Sequence, residues 1–310
     1  MEYRKIGNTD MEVSYLSFGA SSLGGVFHPL KENDGIRAVH TALDNGINFI
    51  DVSPYYGHEK AETVLGKAIK NVDRSRFYLS TKVGRYGQNG ENIWDYSAKK
   101  TSESVYDSLK RLNTDYFDVV SVHDIEFADL RQICTETLPA LLEIRRKGLA
   151  RYIGLTNLTL KHFKYVIDNI PDKTVESVLS FCHYCLNDNA LEDYLPYFEA
   201  KNIGVINASP FAMGLLTERG APAWHPAPKP LQDLCRQAVD FCKANGKQIE
   251  ATALKYSISN PKIATTLFST TRPKAVLQNI RWAEEPFDKE IFNEIRKILE
   301  PRLNDTWLNS

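Results

Sequence analysis

An excess of charge of either sign is missing from this sequence: 38 Lys and Arg stand against 39 Asp and Glu, a net charge of −1. That balance gives a polyanion no electrostatic footprint, so neither nucleic acid nor an anionic membrane is an expected partner. No apolar run approaches the ~20 residues that a spanning helix needs. The opening Met1-Glu-Tyr-Arg-Lys5 lacks the apolar core of a secretory signal, and a cytoplasmic protein is expected. Cysteine is scarce and odd in number, with five residues. Cys182 and Cys185 form a C-x-x-C, but no second such pair and no His pair completes a four-ligand zinc site. They lie in the apolar stretch Val178 to Leu186, where residues three apart point to opposite faces of a strand. Reduced, buried thiols and no metal are the expectation. A Gly-x-Gly-x-x-Gly fingerprint is also absent, because the first apolar strand runs into Ser21-Ser-Leu-Gly-Gly25.

What is present is ordinary globular material, 43% hydrophobic and 25% charged. Tyr3 to Tyr15 reads as a hairpin turned by Gly7-Asn-Thr-Asp10. Apolar strands follow at Leu16–Ala20, Ile47–Val52, Phe77–Val83, Tyr116–His123, Arg151–Asn157, Val175–Tyr184, Ile203–Ser209 and Ile263–Ser269. Helical spacing fills the gaps, at 33–45, 59–70, 97–112, 130–147, 160–169, 190–201, 231–245 and 249–260, and two more helices close the chain. A polar loop is expected over Gly84–Tyr96. Strand–helix alternation without a composition break predicts one (β/α)8 TIM barrel domain over residues 1–310, with a short N-terminal β-hairpin. A doubly wound sheet is the alternative.

In a parallel barrel the carboxyl ends of all strands meet at one mouth. Those ends carry Asp51, Lys82, His123-Asp124, Thr156-Asn157, His183-Tyr184, Asn207-Ala-Ser209 and Ser269-Thr-Thr271. Tyr56 stands just past the second strand. Singly, each has a plain reading as a cap, a packed ring or a core histidine. Together they suggest proton transfer. A phenol near pKa 10 is a poor acid or base at neutral pH, and a nearby ammonium lowers it. A lysine in an apolar barrel needs a counter-ion to keep its proton, and Asp51 can be that group. The expected chain is Asp51 to Lys82 to Tyr56, with the phenol brought toward about 7, on the order of 4 kcal/mol. His123 then orients the reacting oxygen. None of these groups accepts a hydride, so a cofactor must.

At this point the sequence resembles the aldo-keto reductase family over essentially its whole length. The matching motifs are Asp51-x-x-x-x-Tyr56-Gly57, Thr81-Lys82, Asp115-Tyr-x-Asp118 followed by His123, Gly154-Leu-Thr-Asn157, Ser209-Pro-x-x-x-Gly-Leu-Leu216 and Gln278-Asn279. The resemblance implies that Asp51, Tyr56, Lys82 and His123 are a catalytic tetrad and that a nicotinamide cofactor lies across the mouth. Further stretches are similar to the family's aldose 1-dehydrogenases: Ser53-Pro-Tyr-Tyr-Gly57, Gly84-Arg-Tyr86, His123-Asp-Ile-Glu-Phe127, Phe181-Cys-His-Tyr184, Ala212-Met-Gly-Leu-Leu-Thr-Glu218 and Trp224-His-Pro226. They imply oxidation of a cyclic sugar at C1 to a lactone, with Tyr56 as base and hydride passing to NAD(P)+.

By the same resemblance Asn157 holds the nicotinamide carboxamide, while the usual glutamine partner falls by spacing at Phe181. Ser209, Phe211, Gly214 and Leu216 match the loop that covers the pyrophosphate. Ser269, Arg272, Gln278 and Asn279 lie in the last cofactor motif. Relatives preferring NADP carry basic residues where this chain has Ser269 and Ala275, which favours NAD; Arg272 keeps NADP open. Asp124 and His183 are the expected sugar contacts, with Tyr55, Arg85 and Trp224 as further candidates. A monomer or weak homo-oligomer is expected. Two other readings stay open: a broad-range NADPH-dependent carbonyl reductase, and a cofactor-binding regulatory subunit.

Overall fold

Eight short strands, each bounded by turn residues and rich in β-branched and aromatic side chains, are too apolar to leave a sheet face in water. They close on themselves. In the computed structural model, which describes residues 1–26, 29–88 and 91–307, an N-terminal ribbon, Tyr3–Lys5 (β1) and Glu12–Ser14 (β2), precedes the first barrel strand, Leu16–Gly19 (β3). Phe49–Asp51 (β4) and Tyr78–Val83 (β5) follow. Next come a second ribbon, Arg85–Gln88 (β6) and Glu91–Trp94 (β7), and then Phe117–Val122 (β8) and Ala150–Asn157 (β9). Ser177–Phe181 (β10), Gly204–Ala208 (β11) and Thr265–Phe268 (β12) complete the set. Strands β3, β4, β5, β8, β9, β10, β11 and β12 form a closed parallel barrel in that order, as the alternation predicts. Among the described residues, no helix is long and apolar enough to cross a membrane.

Three local departures have physical causes. The expected loop over Gly84–Tyr96 is an antiparallel ribbon, with Arg85 opposite Trp94 and Tyr86 opposite Ile93; residues 89 and 90 of that loop lie outside the described residues. The strand expected to reach Tyr184 stops at Phe181, because Cys182 takes a left-handed backbone (φ 63°) that no ladder accepts. The helix expected over 130–147 contains a π turn at Ile133–Thr137, where the Thr137 hydroxyl donates to the Tyr96 carbonyl.

The barrel interior has its own apolar layer. Phe49, Val119, Leu179, Ile206 and Leu267 point inward, and Ile6, Met11 and Val13 of the first ribbon plug the amino end from below. Polar groups lock the plug. Arg4 Nη1 donates to the carbonyls of Asn260 and Ile263, 3.0 Å each. Arg151 bridges Asp10 of the hairpin turn (2.5 Å) and Asp118 of β8 (2.7 Å). Asp118 is buried, also accepts from Arg74 (2.6 Å), and takes the Leu79 N–H (2.8 Å). Asp118→Ala therefore removes two charge-assisted bonds and orphans a buried N–H. It should lower stability by about 2–4 kcal/mol, read as a lower urea midpoint with unchanged slope. An unshifted midpoint would show that the two arginines simply turn to water.

Candidate functional site

The plug closes one end; the other is the carboxyl end of every barrel strand, and the polar residues collect there. Asp51 ends β4, buried, opposite Ser80 of β5 in register. Ser80 and Lys82 alternate onto the same face of β5, so both reach Asp51. The Ser80 hydroxyl donates to Asp51 Oδ1 (2.9 Å), and the buried Lys82 ammonium pairs with Asp51 Oδ2 and donates to the Val52 carbonyl (2.9 Å). Burial works most strongly against the Lys82 charge, but Asp51 and Tyr56 together outweigh it and leave the ammonium above its ordinary pKa. The chain then turns through Pro54 to Tyr56, whose ring centroid lies 5.0 Å from Lys82 Nζ. Gly57 has φ 63°, and a Cβ there would stand 2.1 Å from the Gly24 carbonyl oxygen, so only glycine lets the Tyr56 turn pack on the first loop.

His123 follows β8. Its ring meets Tyr56 edge-on (centroids 5.7 Å apart, 85°) and Tyr55 likewise (5.9 Å, 76°). Its Nδ1 lies 3.0 Å from the Ser53 hydroxyl. Burial, helped by the Lys82 and Arg85 charges, holds His123 well below the ordinary histidine range, so the ring is neutral. The phenol of Tyr56 corrects the sequence expectation. Burial raises it more than Lys82 lowers it, and the net shift is upward from 10.0. The reason is that Lys82 is already neutralised by Asp51, while the cost of placing a phenolate among apolar walls remains.

Beside His123 lies a second polar group that the second ribbon delivers. Arg85 pairs with Asp124, donates to the Tyr55 hydroxyl (3.0 Å), and spreads over the Tyr55 ring 3.9 Å from its centroid. Phe127 and Trp94 flank the guanidinium at 5.3 and 5.6 Å. Asp124 sits in a left-handed backbone (φ 46°), is also held by Thr156, and places Oδ2 3.6 Å from His123 Nε2. The expected sugar residue Asp124 is thus next to the tetrad. His183 is not joined to it: it is buried, and its Nδ1 lies 3.0 Å from Asp188 Oδ2. Trp224 is 55% exposed and stacks on His225.

An acid–lysine–tyrosine–histidine set at the mouth of a parallel barrel invites comparison with known proteins. The aldo/keto reductase family model matches residues 15–300. The chain belongs to the aldo/keto reductase family. It is 45% identical over 313 residues to L-galactose dehydrogenase of Arabidopsis thaliana, covering 99% of this chain and 97% of that protein. It is 31% identical over 229 residues to D-arabinose 1-dehydrogenase of Saccharomyces cerevisiae, covering 70% and 67%. The solved structure of aldo-keto reductase AKR11C1 from Bacillus halodurans, in its holo form, superposes with a TM-score of 0.81 at 25% identity over 100% of this chain and 99% of that one. This aldo-keto reductase is an oxidoreductase of CH–OH and carbonyl groups using a nicotinamide cofactor.

The fit of such a cofactor to this aldo-keto reductase can be tested on its own atoms. Asn279 is buried; its Nδ2 donates to the Ala275 carbonyl (2.7 Å), and its Oδ1 has no partner, an acceptor left for a donor such as an adenine amino group. The helix Pro273–Glu284 that bears it opens with proline and no side-chain cap, and Ala275 N–H already bonds the Arg272 carbonyl (2.9 Å), so its first turn leaves the Lys274 N–H for an anion. Gln278 is half-buried and Arg272 exposed on the same helix start. The Ser269 hydroxyl receives Ser22 N–H (3.0 Å) and Ser21 Oγ–H (3.1 Å), so it anchors the loop after β3. Asn157 is clasped locally: its Oδ1 accepts from Glu126 N–H (2.9 Å) and its Nδ2 donates to the Thr159 carbonyl (2.7 Å), leaving one N–H and one lone pair. Ser209 takes a left-handed backbone at φ 62°. Phe211 is half-buried and Gly214 has φ 110°. Leu216 is fully buried in the core, so here it anchors that loop by packing.

Two serines escaped the sequence reading. Ser80 was legible in principle from strand alternation with Lys82. Ser53 was not, because its partner lies 70 residues away.

Proposed function

We propose that this enzyme oxidises a cyclic aldose of the L-galactose type at C1 to the lactone, with NAD+ as the preferred cofactor. The observation that carries this reading is the convergence of Asp51, Lys82, Tyr56 and His123 with the Arg85–Asp124 pair set against His123. The near full-length similarity to an L-galactose dehydrogenase supports the sugar class. A nicotinamide held at the mouth would supply the hydride acceptor. Tyr56 takes the proton of the C1 hydroxyl as the C–O double bond of the lactone forms. Lys82, charged and fixed by Asp51, stabilises the phenolate that does so. His123, neutral, hydrogen-bonds the reacting oxygen and orients it. Asp124 and Arg85 present an acceptor and donors to neighbouring hydroxyls, the kind of buried polar set that discriminates epimers by leaving wrong ones unpaired.

Asn279, Gln278 and the start of their helix would hold the adenosine end, and Ser209 to Gly214 would lie over the pyrophosphate. With serine at 269 and alanine at 275, no basic side chain awaits a 2′-phosphate at either position, which supports NAD over NADP.

A screen of NAD+ and NADP+ reduction over L-galactose, L-fucose and D-arabinose tests this, with NADPH-dependent reduction of an aromatic aldehyde as the competing arm. The expected result is the highest kcat/KM for an aldose with NAD+. Turnover confined to the aldehyde with NADPH would overturn the sugar reading. The pH profile carries a second expectation. Oxidation needs the deprotonated phenol, and burial raises Tyr56, so the oxidation rate should climb as pH rises from about 7 to 10. Because His123 stays neutral, no limb should appear near the ordinary histidine value of 6.5. A rate that falls over that alkaline range contradicts the assignment of Tyr56 as base.

A further inference from the structure

We infer that Ser53 is a positioning residue that fixes the His123 imidazole as its Nε2–H tautomer, and so makes His123 a donor to the reacting oxygen. The inference rests on the role proposed above for His123, and its first readout is independent of that role.

The argument is a count of hydrogens. Ser53 is fully buried. Its Oγ accepts the Tyr55 backbone N–H at 3.1 Å, a bond whose donor is unambiguous. Its own hydroxyl hydrogen then needs an acceptor, and among the described residues the one hydrogen-bonding partner left to Oγ is His123 Nδ1, at 3.0 Å. If Nδ1 carried the proton, it would donate to Ser53, and the serine hydrogen would be left buried without a partner. Such an orphaned group costs about 1–3 kcal/mol. With Nδ1 bare, both bonds of Ser53 are satisfied and the ring proton moves to Nε2. There a second observation agrees: Nε2 faces Asp124 Oδ2 at 3.6 Å, a carboxylate that can only attract an N–H and not a bare nitrogen. Asp124 is kept at that longer range by Arg85 and Thr156, so the Nε2–H is attracted but not consumed. An incoming hydroxyl or carbonyl oxygen can take it.

The placement also binds two parts of the site. Ser53 lies between Asp51 and Tyr56 on the turn after β4, whereas His123 follows β8. One hydroxyl therefore sets both the turn that carries the phenol, through Tyr55 N–H, and the face of the histidine opposite it.

The test is the ring 15N spectrum of histidine-labelled protein, with the His123 signals identified by their loss in His123→Gln. Wild-type protein should show a protonated Nε2 and an unprotonated Nδ1 for His123. Ser53→Ala should show the Nδ1–H form appearing, with kcat for sugar oxidation reduced roughly tenfold, about 1.4 kcal/mol, and KM for NAD+ unchanged. Ser53→Thr, which keeps the hydroxyl, should restore the wild-type tautomer. A wild-type His123 protonated at Nδ1 overturns the inference, and so does a Ser53→Ala protein whose tautomer is that of wild type. Should Ser53→Ala not fold, the wild-type spectrum decides alone. Absence of turnover with every aldose would remove the proposed substrate and leave the tautomer result standing, because the spectrum needs no substrate.

Discussion

Tyr56→Phe should lower the turnover of sugar with NAD+ by on the order of 10²–10⁴-fold while leaving cofactor affinity nearly intact. The substitution deletes one oxygen. The ring keeps its edge contact with His123 and its place 5.0 Å from the Lys82 ammonium, so the walls of the site should hold their shape. What is lost is the atom that receives the C1 hydroxyl proton. Steady-state NADH formation gives the rate, and quenching of protein fluorescence by the dinucleotide gives the affinity. A variant as fast as wild type would remove Tyr56 from the mechanism and shift attention to His123, whose ring meets it edge-on.

Lys82→Met should cost both turnover and stability. The ammonium is buried and meets Asp51, Val52 and the Tyr56 ring. Taking it away leaves the Asp51 carboxylate charged in the barrel with one neutral partner, the Ser80 hydroxyl. Removing one member of a buried pair destabilises by about 3–5 kcal/mol. Turnover should fall at least as far as in Tyr56→Phe, because the phenolate then forms beside an unpaired carboxylate. The double variant Asp51→Asn/Lys82→Met separates the two effects. Neutralising both sites should recover most of the stability and none of the rate, read by thermal unfolding and NADH formation on the same preparations. A double variant no more stable than Lys82→Met would show that packing of the lysine stem, not the stranded charge, sets the loss. The sign of the pH dependence follows from the raised Lys82 value. The pair contributes fully below the ordinary 10.5 and is lost only as pH climbs past the folded value. It is therefore intact across the range where Tyr56 is expected to work.

Much of this arrangement is legible in the residue order. Strand alternation and turn glycines place the eight barrel strands within a few residues, because a strand buried on both faces must be apolar and short. Asp51, Lys82 and His123 stand out because each interrupts or ends such a run with a polar group. The parts left open or missed depend on folding back. Arg85 follows Gly84 at a strand end and looks free to reach water; only the pairing of Arg85–Gln88 with Glu91–Trp94 turns it over Tyr55 and onto Asp124. Ser53 looks like an ordinary turn serine until His123 arrives. The direction of the Tyr56 shift was misjudged for a related reason. Sequence supplies the lysine next door, whereas the desolvation that outweighs it comes from walls contributed by distant segments.

The hairpin plug has a consequence for how the molecule is made. Arg4 is fastened to the carbonyls of Asn260 and Ile263, and β3 pairs with β12. The hairpin thus waits for partners 256 and 259 residues further along the chain. Until Thr265–Phe268 emerges, the nascent chain is an open sheet with two raw edges and an uncovered apolar interior, Ile6, Met11 and Val13 included. Seam closure must therefore wait for β12, and a pause or truncation before residue 265 leaves a species prone to aggregate and not a smaller working enzyme.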